Sequence, residues 1–482
     1  MSEFAFKSAV ELAALIREGE VGCLELLEYF LERGERFDPG INAIVVLDAD
    51  RARVRAREAD EALARGENWG PLHGVPMTIK ESYNVEGTPT TNGRPEMKDN
   101  IAPADALAVQ RLKAAGVVLF GKSNVPINLA DFQSYNEVYG TTNNPWNPER
   151  IPGGSSGGSA AALAAGLTGF EAGSDIGGSI RNPAHFCGVY GHKPTWNIVP
   201  QQGHSLPGML ASPDIAVVGP LARSAEDLAL ALDVVSGPEP LVESGWKLEL
   251  PPPRHAKLSD YRVALWPSDP MAPVAGEVAD RVQQLGDRLA ALGATVSDSA
   301  RPAFEIARSH ETYLYLLNGV MAAALPQEVL DAMEAQVSAL DPADQSDNAV
   351  MARAAVQKHG DWLRHNNRRE ALRMAWRDFF QDWDILLCPQ TATPAFKHDH
   401  RPIPERTLAV DDAVQPYFQQ LFWAGLITVA YLPSTVFPTG VSGDGLPIGL
   451  QAVSAEYADH TCIDFARLLA DEMGGFVPPP GY

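Results

Sequence analysis

The sequence predicts an α/β fold layered around a mixed or largely parallel sheet. Two observations carry this. From residue 75 onward, short apolar runs alternate with helical stretches, and no Pro- or Gly-rich segment separates two halves of different composition. The chain's 482 residues exceed the length at which one core usually stops growing, so length by itself leaves open one large domain or several. The Pro- and Gly-rich stretches 237–253 and 394–404 read as surface connections inside one domain, and no internal repeat is present.

In chain order, the first 70 residues carry helical periodicity: Ala9, Leu12, Ala13 and Ile16, then Leu24, Leu26, Leu27 and Phe30, then the charged, Ala-rich run 48–65. Two or three helices open the chain. Residues 75–79, 117–120, 215–218, 261–266 and 385–387 are short apolar runs of the kind that form strands buried on both faces. Between and after them, 104–115, 224–235, 276–292 and 458–472 read as helices. Residues 328–365 are polar, Ala-rich and helical in character, and form an expected excursion on the substrate side.

Composition excludes several classes. A formal net charge of -23 repels a phosphate backbone, which argues against DNA or RNA as partner. No uncharged stretch reaches membrane-spanning length and the first 20 residues lack a signal-peptide core, so no membrane association and cytoplasmic residence are the expectations. Cys23, Cys187, Cys388 and Cys462 are scattered, with no Cys-x-x-Cys pair, and read as small buried side chains, neither a disulfide framework nor a zinc site.

The most unusual segment is 151–183, where two Gly-Ser clusters flank the helix AAALAAG. A flexible linker does not fit, because that helix is apolar on nearly all sides and must be buried. Glycines in a buried setting mean close backbone approach or positive φ. Three common motifs match by letter and fail by context. GVVLFGKS at 116–123 fits a phosphate loop, but its middle is an apolar run and Val125-Pro126 follow where a helix must start. GGSSG at 153–157 fits a nucleophile elbow but follows a turn-rich stretch, not a strand, and SGWK at 244–247 lies where no helix can set Lys247 one turn from Ser244. None of the 11 histidines is an evident partner for a Ser-His-Asp triad: His185 and His192 read as packing histidines, and His398, Asp399 and His400 as a surface turn, not a metal site.

Lys80 ends the strand-like run HGVPMTIK, which carries its stem into the core layer. A buried lysine is costly unless it is neutral or surrounded by hydroxyls, and burial lowers its pKa toward the range of a usable general base. The alternative is a strand-end lysine that reaches solvent.

GVPMTIKES around Lys80, GKSNVP at 121–126, PGGSSGGSAAALAAG at 152–166 and GSDIGGSIRNPA at 173–184 together resemble the amidase signature family in order and spacing. The likeness continues through HKPT at 192–195, GPLARSAEDLAL at 219–230 and GLPIGLQAV at 445–453, nearly the whole chain. The resemblance implies a single α/β domain over 1–482 with a mixed central sheet covered by helices: N-terminal helices in 1–70, a signature core in 75–235, and the rest of the sheet with substrate-side helices in 255–482. It places the family's triad on Lys80, Ser155 and Ser179, puts a cis peptide between Gly154 and Ser155, and gives Ile176, Gly177 and Gly178 as oxyanion-binding N–H donors.

That triad implies an amidase working through an acyl-enzyme on Ser179, with neutral Lys80 accepting the proton relayed by Ser155 and no metal or organic cofactor. Carbamates and esters pass through similar intermediates. Expected pocket segments contribute Phe132, Leu206, Met209, Leu210, Tyr313, Leu316, Met321 and Trp423, which favour a neutral, apolar acyl or aryl amide as the small-molecule partner. A monomer or homodimer is expected. The alternatives are a glutamine-hydrolysing subunit of a transamidation complex, which the acidic charge and the departure of 202–214 from such subunits disfavour, and a non-catalytic member, which the intact triad positions disfavour.

Overall fold

The computed structural model describes residues 3–204, 209–323 and 325–482. The chain opens on three helices, Ala9–Glu18, Cys23–Phe37 and Ala49–Ala64. The first is fixed by a capping box, Ser8 accepting from Glu11 N while Glu11 reaches back, and it buries the expected stripe Ala9, Leu12, Ala13 and Ile16.

Eight strands form the central sheet, in the order Thr295–Ser297, Arg262–Leu265, Ile385–Pro389, Pro447–Val453, Ser434–Val441, Tyr190–Lys193, Val217–Ala222, Glu171–Asp175. The first two pairings are parallel and the remaining five antiparallel, so the sheet is mixed. Helices Ala225–Val235, Gly276–Ala291 and Asp459–Met473 pack on one face, Gly157–Ala164 and Arg181–Cys187 on the other. Strand Ile385–Pro389 explains the continuous apolar runs in the sequence: Ile385 and Leu387 enter one core cluster while Leu386 and Cys388 enter the other. Alternate side chains point to opposite faces, and both faces are covered.

A smaller sheet of three strands, Ile44–Leu47, Val118–Ser123 and Pro76–Lys80, sets Pro76–Lys80 parallel to Val118–Ser123. The letters of the phosphate loop thus form a strand. The strand expected at 215–218 runs instead over Val217–Ala222, because Ile215 takes φ 54° and turns the chain there. Strands Glu171–Asp175, Tyr190–Lys193, Ser434–Val441 and Pro447–Val453 were not legible as apolar runs, since they carry Glu171, Asp175, His192, Lys193 and several Gly and Pro residues. The polar excursion forms helices Gln327–Ser338 and Asp347–Ala355 and the start of the long helix His359–Asp382. Among the described residues, no helix is long and apolar enough to cross a membrane.

Candidate active site

Lys80 is the last residue of a strand whose five residues are all buried, and its side chain is fully enclosed. Its Nζ lies 2.6 Å from Ser155 Oγ and 2.9 Å from Ser174 Oγ. Burial pulls the ammonium down from the ordinary lysine range to about 7, although the charge of Asp175 works the other way.

Two turns bring the serines together. Ser155 stands just before helix Gly157–Ala164 and follows a cis Gly154–Ser155 peptide; Ser179 lies between strand Glu171–Asp175 and helix Arg181–Cys187. The turns are stitched to each other. Ser156 N donates to Ser179 O at 3.1 Å, and the Asn182 carboxamide accepts from Gly154 N at 3.0 Å while donating to Gly154 O at 2.5 Å and Gly178 O at 2.8 Å. Glycine is required at 154, where a Cβ would collide with the Asp131 carbonyl oxygen. Ser156 Oγ accepts from Ser174 N at 3.4 Å, so this hydroxyl braces the backbone instead of meeting Lys80.

Asp175 organises the second turn. Its carboxylate accepts from Gly178 N at 2.8 Å, Ile180 N at 3.1 Å and Arg181 N at 3.3 Å, and forms a fully buried ion pair with the Arg181 guanidinium at 2.9 Å. Burial raises its pKa, but the charge and hydrogen bonds of Arg181 outweigh that and hold it at about 2. The Gly178 N–H is therefore already engaged. Among the described residues, the N–H groups of Ile176, Gly177 and Ser179 donate to no protein acceptor, unlike that of Gly178, the third donor the sequence suggested. Tyr313 Oη donates to Ile176 O at 3.1 Å and props this loop from behind.

Ser155, Ser174, Asp175, Ile176 and Ser179 line a cavity of about 680 Å³, and a recess of about 170 Å³ opens beside Ser179. The main cavity is walled by Leu129, Met209, Met321, Met333 and Ile403, the recess by Phe132, Leu317, Met351 and Phe418. Four expected pocket residues do not line either space. Leu210 is 90% exposed, whereas Tyr313, Leu316 and Trp423 are in the core. Helix Ile306–Ala322 presents Leu317, Asn318 and Met321 to the cavity, whereas Tyr313, one turn earlier on the same side, is enclosed behind the Ile176 loop and Leu316 is fully buried. Trp423 donates to Ala272 O at 3.2 Å and packs against Trp266. Leu206 lies outside the described residues. Residues of the cavity that carried no motif are Asn92, Arg94, Gln201 and His204; His204 is neutral, pushed down to about 3 by burial and the nearby Lys80 charge, and bonds Ser82 Oγ at 2.8 Å.

His185 and His192 are buried and bonded, the first to Gly449 O at 2.7 Å, the second to Thr435 Oγ1 at 2.9 Å and Asp459 at 3.1 Å. Among the described residues, no group of three His, Cys, Asp or Glu is placed to hold a metal ion. A separate cavity of about 640 Å³, lined by Arg150, Phe396, His398 and Tyr417, contains none of Lys80, Ser155 or Ser179.

The family model described as Amidase matches residues 25–463. The chain belongs to the amidase family. It is 34% identical over 482 residues to the indoleacetamide hydrolase of Bradyrhizobium diazoefficiens, which covers 97% of this chain and 86% of that protein. It is 33% identical to one subunit of the glutamyl-tRNA(Gln) amidotransferase of Thioalkalivibrio sulfidiphilus, over 96% of this chain and 95% of that one. Among solved structures, 6-aminohexanoate cyclic dimer hydrolase complexed with substrate superposes with a TM-score of 0.78 at 28% identity, covering 99% of both chains. As an amidase-family enzyme, the chain hydrolyses carbon–nitrogen amide bonds.

Proposed function

We propose that this amidase works through Ser179 as nucleophile, Ser155 as proton relay and Lys80 as base, on an amide with an apolar body. The observation that carries it is the 2.6 Å contact between Lys80 Nζ and Ser155 Oγ, enclosed in protein beside Ser179 at the cavity. A neutral amine has two N–H donors and one lone pair: a donor serves Ser174 Oγ, and the lone pair takes the Ser155 proton. Ser155 Oγ in turn takes the proton of Ser179 as Ser179 Oγ attacks the carbonyl, and the same chain returns it to the leaving amine. The N–H groups of Ile176, Gly177 and Ser179 receive the oxyanion. Water then releases the acyl group.

The walls support the substrate class. Methionine and aliphatic side chains dominate both spaces, and an indoleacetamide hydrolase among the relatives fits a compact aromatic amide. Free glutamine fits poorly, because the carboxylates at the two spaces, Asp175 and Asp131, are held by Arg181 and by Arg406, leaving no acid for an ammonium among the described residues. The expected ranking of kcat/KM is nitroanilide above aryl carbamate, with glutamine far below. A clear preference for glutamine contradicts the apolar-body reading and favours the transamidation role.

The protonation state of Lys80 gives a pH profile. The base is active when neutral, so kcat/KM rises with pH through an apparent pKa of about 7 and then stays level into the alkaline range. That value belongs to the coupled Lys80, Ser155 and Ser179 unit. A rate that peaks near pH ~5 contradicts the assignment.

A further inference from the structure

The proposed chemistry occupies the floor of the main cavity and leaves one polar stretch of its wall without a role. Arg94, Asn92 and Asn128 line the same space as Ser179. They come from two loops fastened together: Asn128 N donates to Asn92 O at 2.9 Å, and a Cβ on Gly93 would meet Ile127 N at 3.0 Å. The first loop is anchored to the end of the lysine strand, since Glu81 accepts from Thr91 N at 2.5 Å and Asn92 N at 2.9 Å. This wall is therefore set by the same element that sets Lys80.

Arg94 has its Nε bonded to Glu96 Oε1 at 2.8 Å, while its Nη groups have no acceptor among the described residues and the side chain is 28% exposed. The Asn92 side chain is buried with Nδ2 unpartnered. Among the described residues lining the cavity, Arg94 is the one cationic side chain, and the single carboxylate, Asp175, is neutralised by Arg181. The wall thus offers the free Nη donors of Arg94 and carboxamide groups, and among the described residues lining the cavity no unpaired carboxylate. A planar guanidinium with a free edge matches a carboxylate.

We propose that Arg94, flanked by the carboxamides of Asn92 and Asn128, forms a subsite for a carboxylate carried at the end of the substrate remote from the scissile amide. This rests on the amide-hydrolysis reading of the cavity and refines it: the body of the substrate is apolar and its charge sits at the far end. The test uses acetanilides bearing a para carboxylate on a chain of zero to three methylenes, each paired with its methyl ester, titrated into the Ser179→Ala protein by calorimetry. At least one acid is expected to bind about tenfold or more tightly than its ester, with that ratio falling toward one in Ser179→Ala/Arg94→Ala, partly restored by Arg94→Lys, and shrinking with added salt. Acids that bind no better than their esters, or a preference that survives Arg94→Ala, overturn the subsite. Because binding is read without turnover, hydrolysis of the same compounds by the wild-type enzyme reports on the serine mechanism separately.

Discussion

Ser179→Ala is expected to abolish turnover, with a loss of about 10⁴-fold or more. The substitution removes one oxygen from a side chain that is 8% exposed at the cavity wall, and it leaves untouched the contacts that hold the two turns, Ser156 N to Ser179 O and the Asn182 bridge. The folded protein and its melting temperature are thus expected to stay near wild type. Lys80→Ala and Ser155→Ala each lower kcat by several orders of magnitude, because a neutral serine hydroxyl is a weak nucleophile without a proton acceptor. Residues that act as one unit are not additive, so Lys80→Ala combined with Ser179→Ala is little worse than the worse single variant. Steady-state kinetics on a nitroanilide measure this; a Ser179→Ala enzyme that keeps a large share of activity contradicts the assignment.

Arg181→Leu is expected to cost about 3–5 kcal/mol of stability and to destroy activity with it. The guanidinium is fully buried and serves Asp175, the Ala424 carbonyl, Thr428 Oγ1 and Gln451 Oε1. Its removal leaves Asp175 charged in the core beside the donors of the Ser179 turn. The pH dependence has a definite sign. In the native protein Asp175 is held at about 2, below its unfolded value, so its contribution to stability is present at neutral pH and is lost as pH falls through that range. Without Arg181 burial raises the same carboxyl above its unfolded value, so the penalty of the substitution is largest near neutral pH and shrinks as the medium is acidified and the group takes up a proton. Urea unfolding at several pH values measures both. Adding Asp175→Leu removes the orphaned charge, and the double variant is expected to be more stable than Arg181→Leu alone.

The parts of the fold legible in the sequence are those where one physical effect dominates. Runs such as Ile385–Pro389 are apolar because both sheet faces are covered, and helix Ala9–Glu18 shows its buried stripe because its outer face is wet. Strands Glu171–Asp175 and Tyr190–Lys193 were hidden because buried polar side chains in them have partners distant in sequence: Glu171 meets Thr78 on the lysine strand, and His192 meets Asp459 on another element. Within the site the hidden contact is a local one. Lys80 stood out at the end of an apolar run and the resemblance placed Ser155 and Ser179 in the two Gly-Ser clusters, but the capture of Gly178 N by Asp175 depends on a carboxylate turning back on its own loop, which no spacing reveals. Ser174, the second acceptor of Lys80, sits in a strand that did not read as one. Tyr313 and Trp423 are large and apolar, the profile of a pocket wall, yet tertiary packing puts both in the core, Tyr313 behind the Ile176 loop and Trp423 in a helix buried on every side, while Arg94 comes from a loop with no periodicity to phase it.

The central claim is that Ser179 carries the acyl group. Intact-protein mass spectrometry after treatment with an aryl organophosphonate tests it most directly, followed by peptide mapping of the modified protein. The account predicts a single adduct on Ser179, absent from Ser179→Ala and formed far more slowly by Lys80→Ala. A stable adduct on Ser155 or Ser156, or labelling of Ser179 that proceeds at the wild-type rate without Lys80, contradicts it.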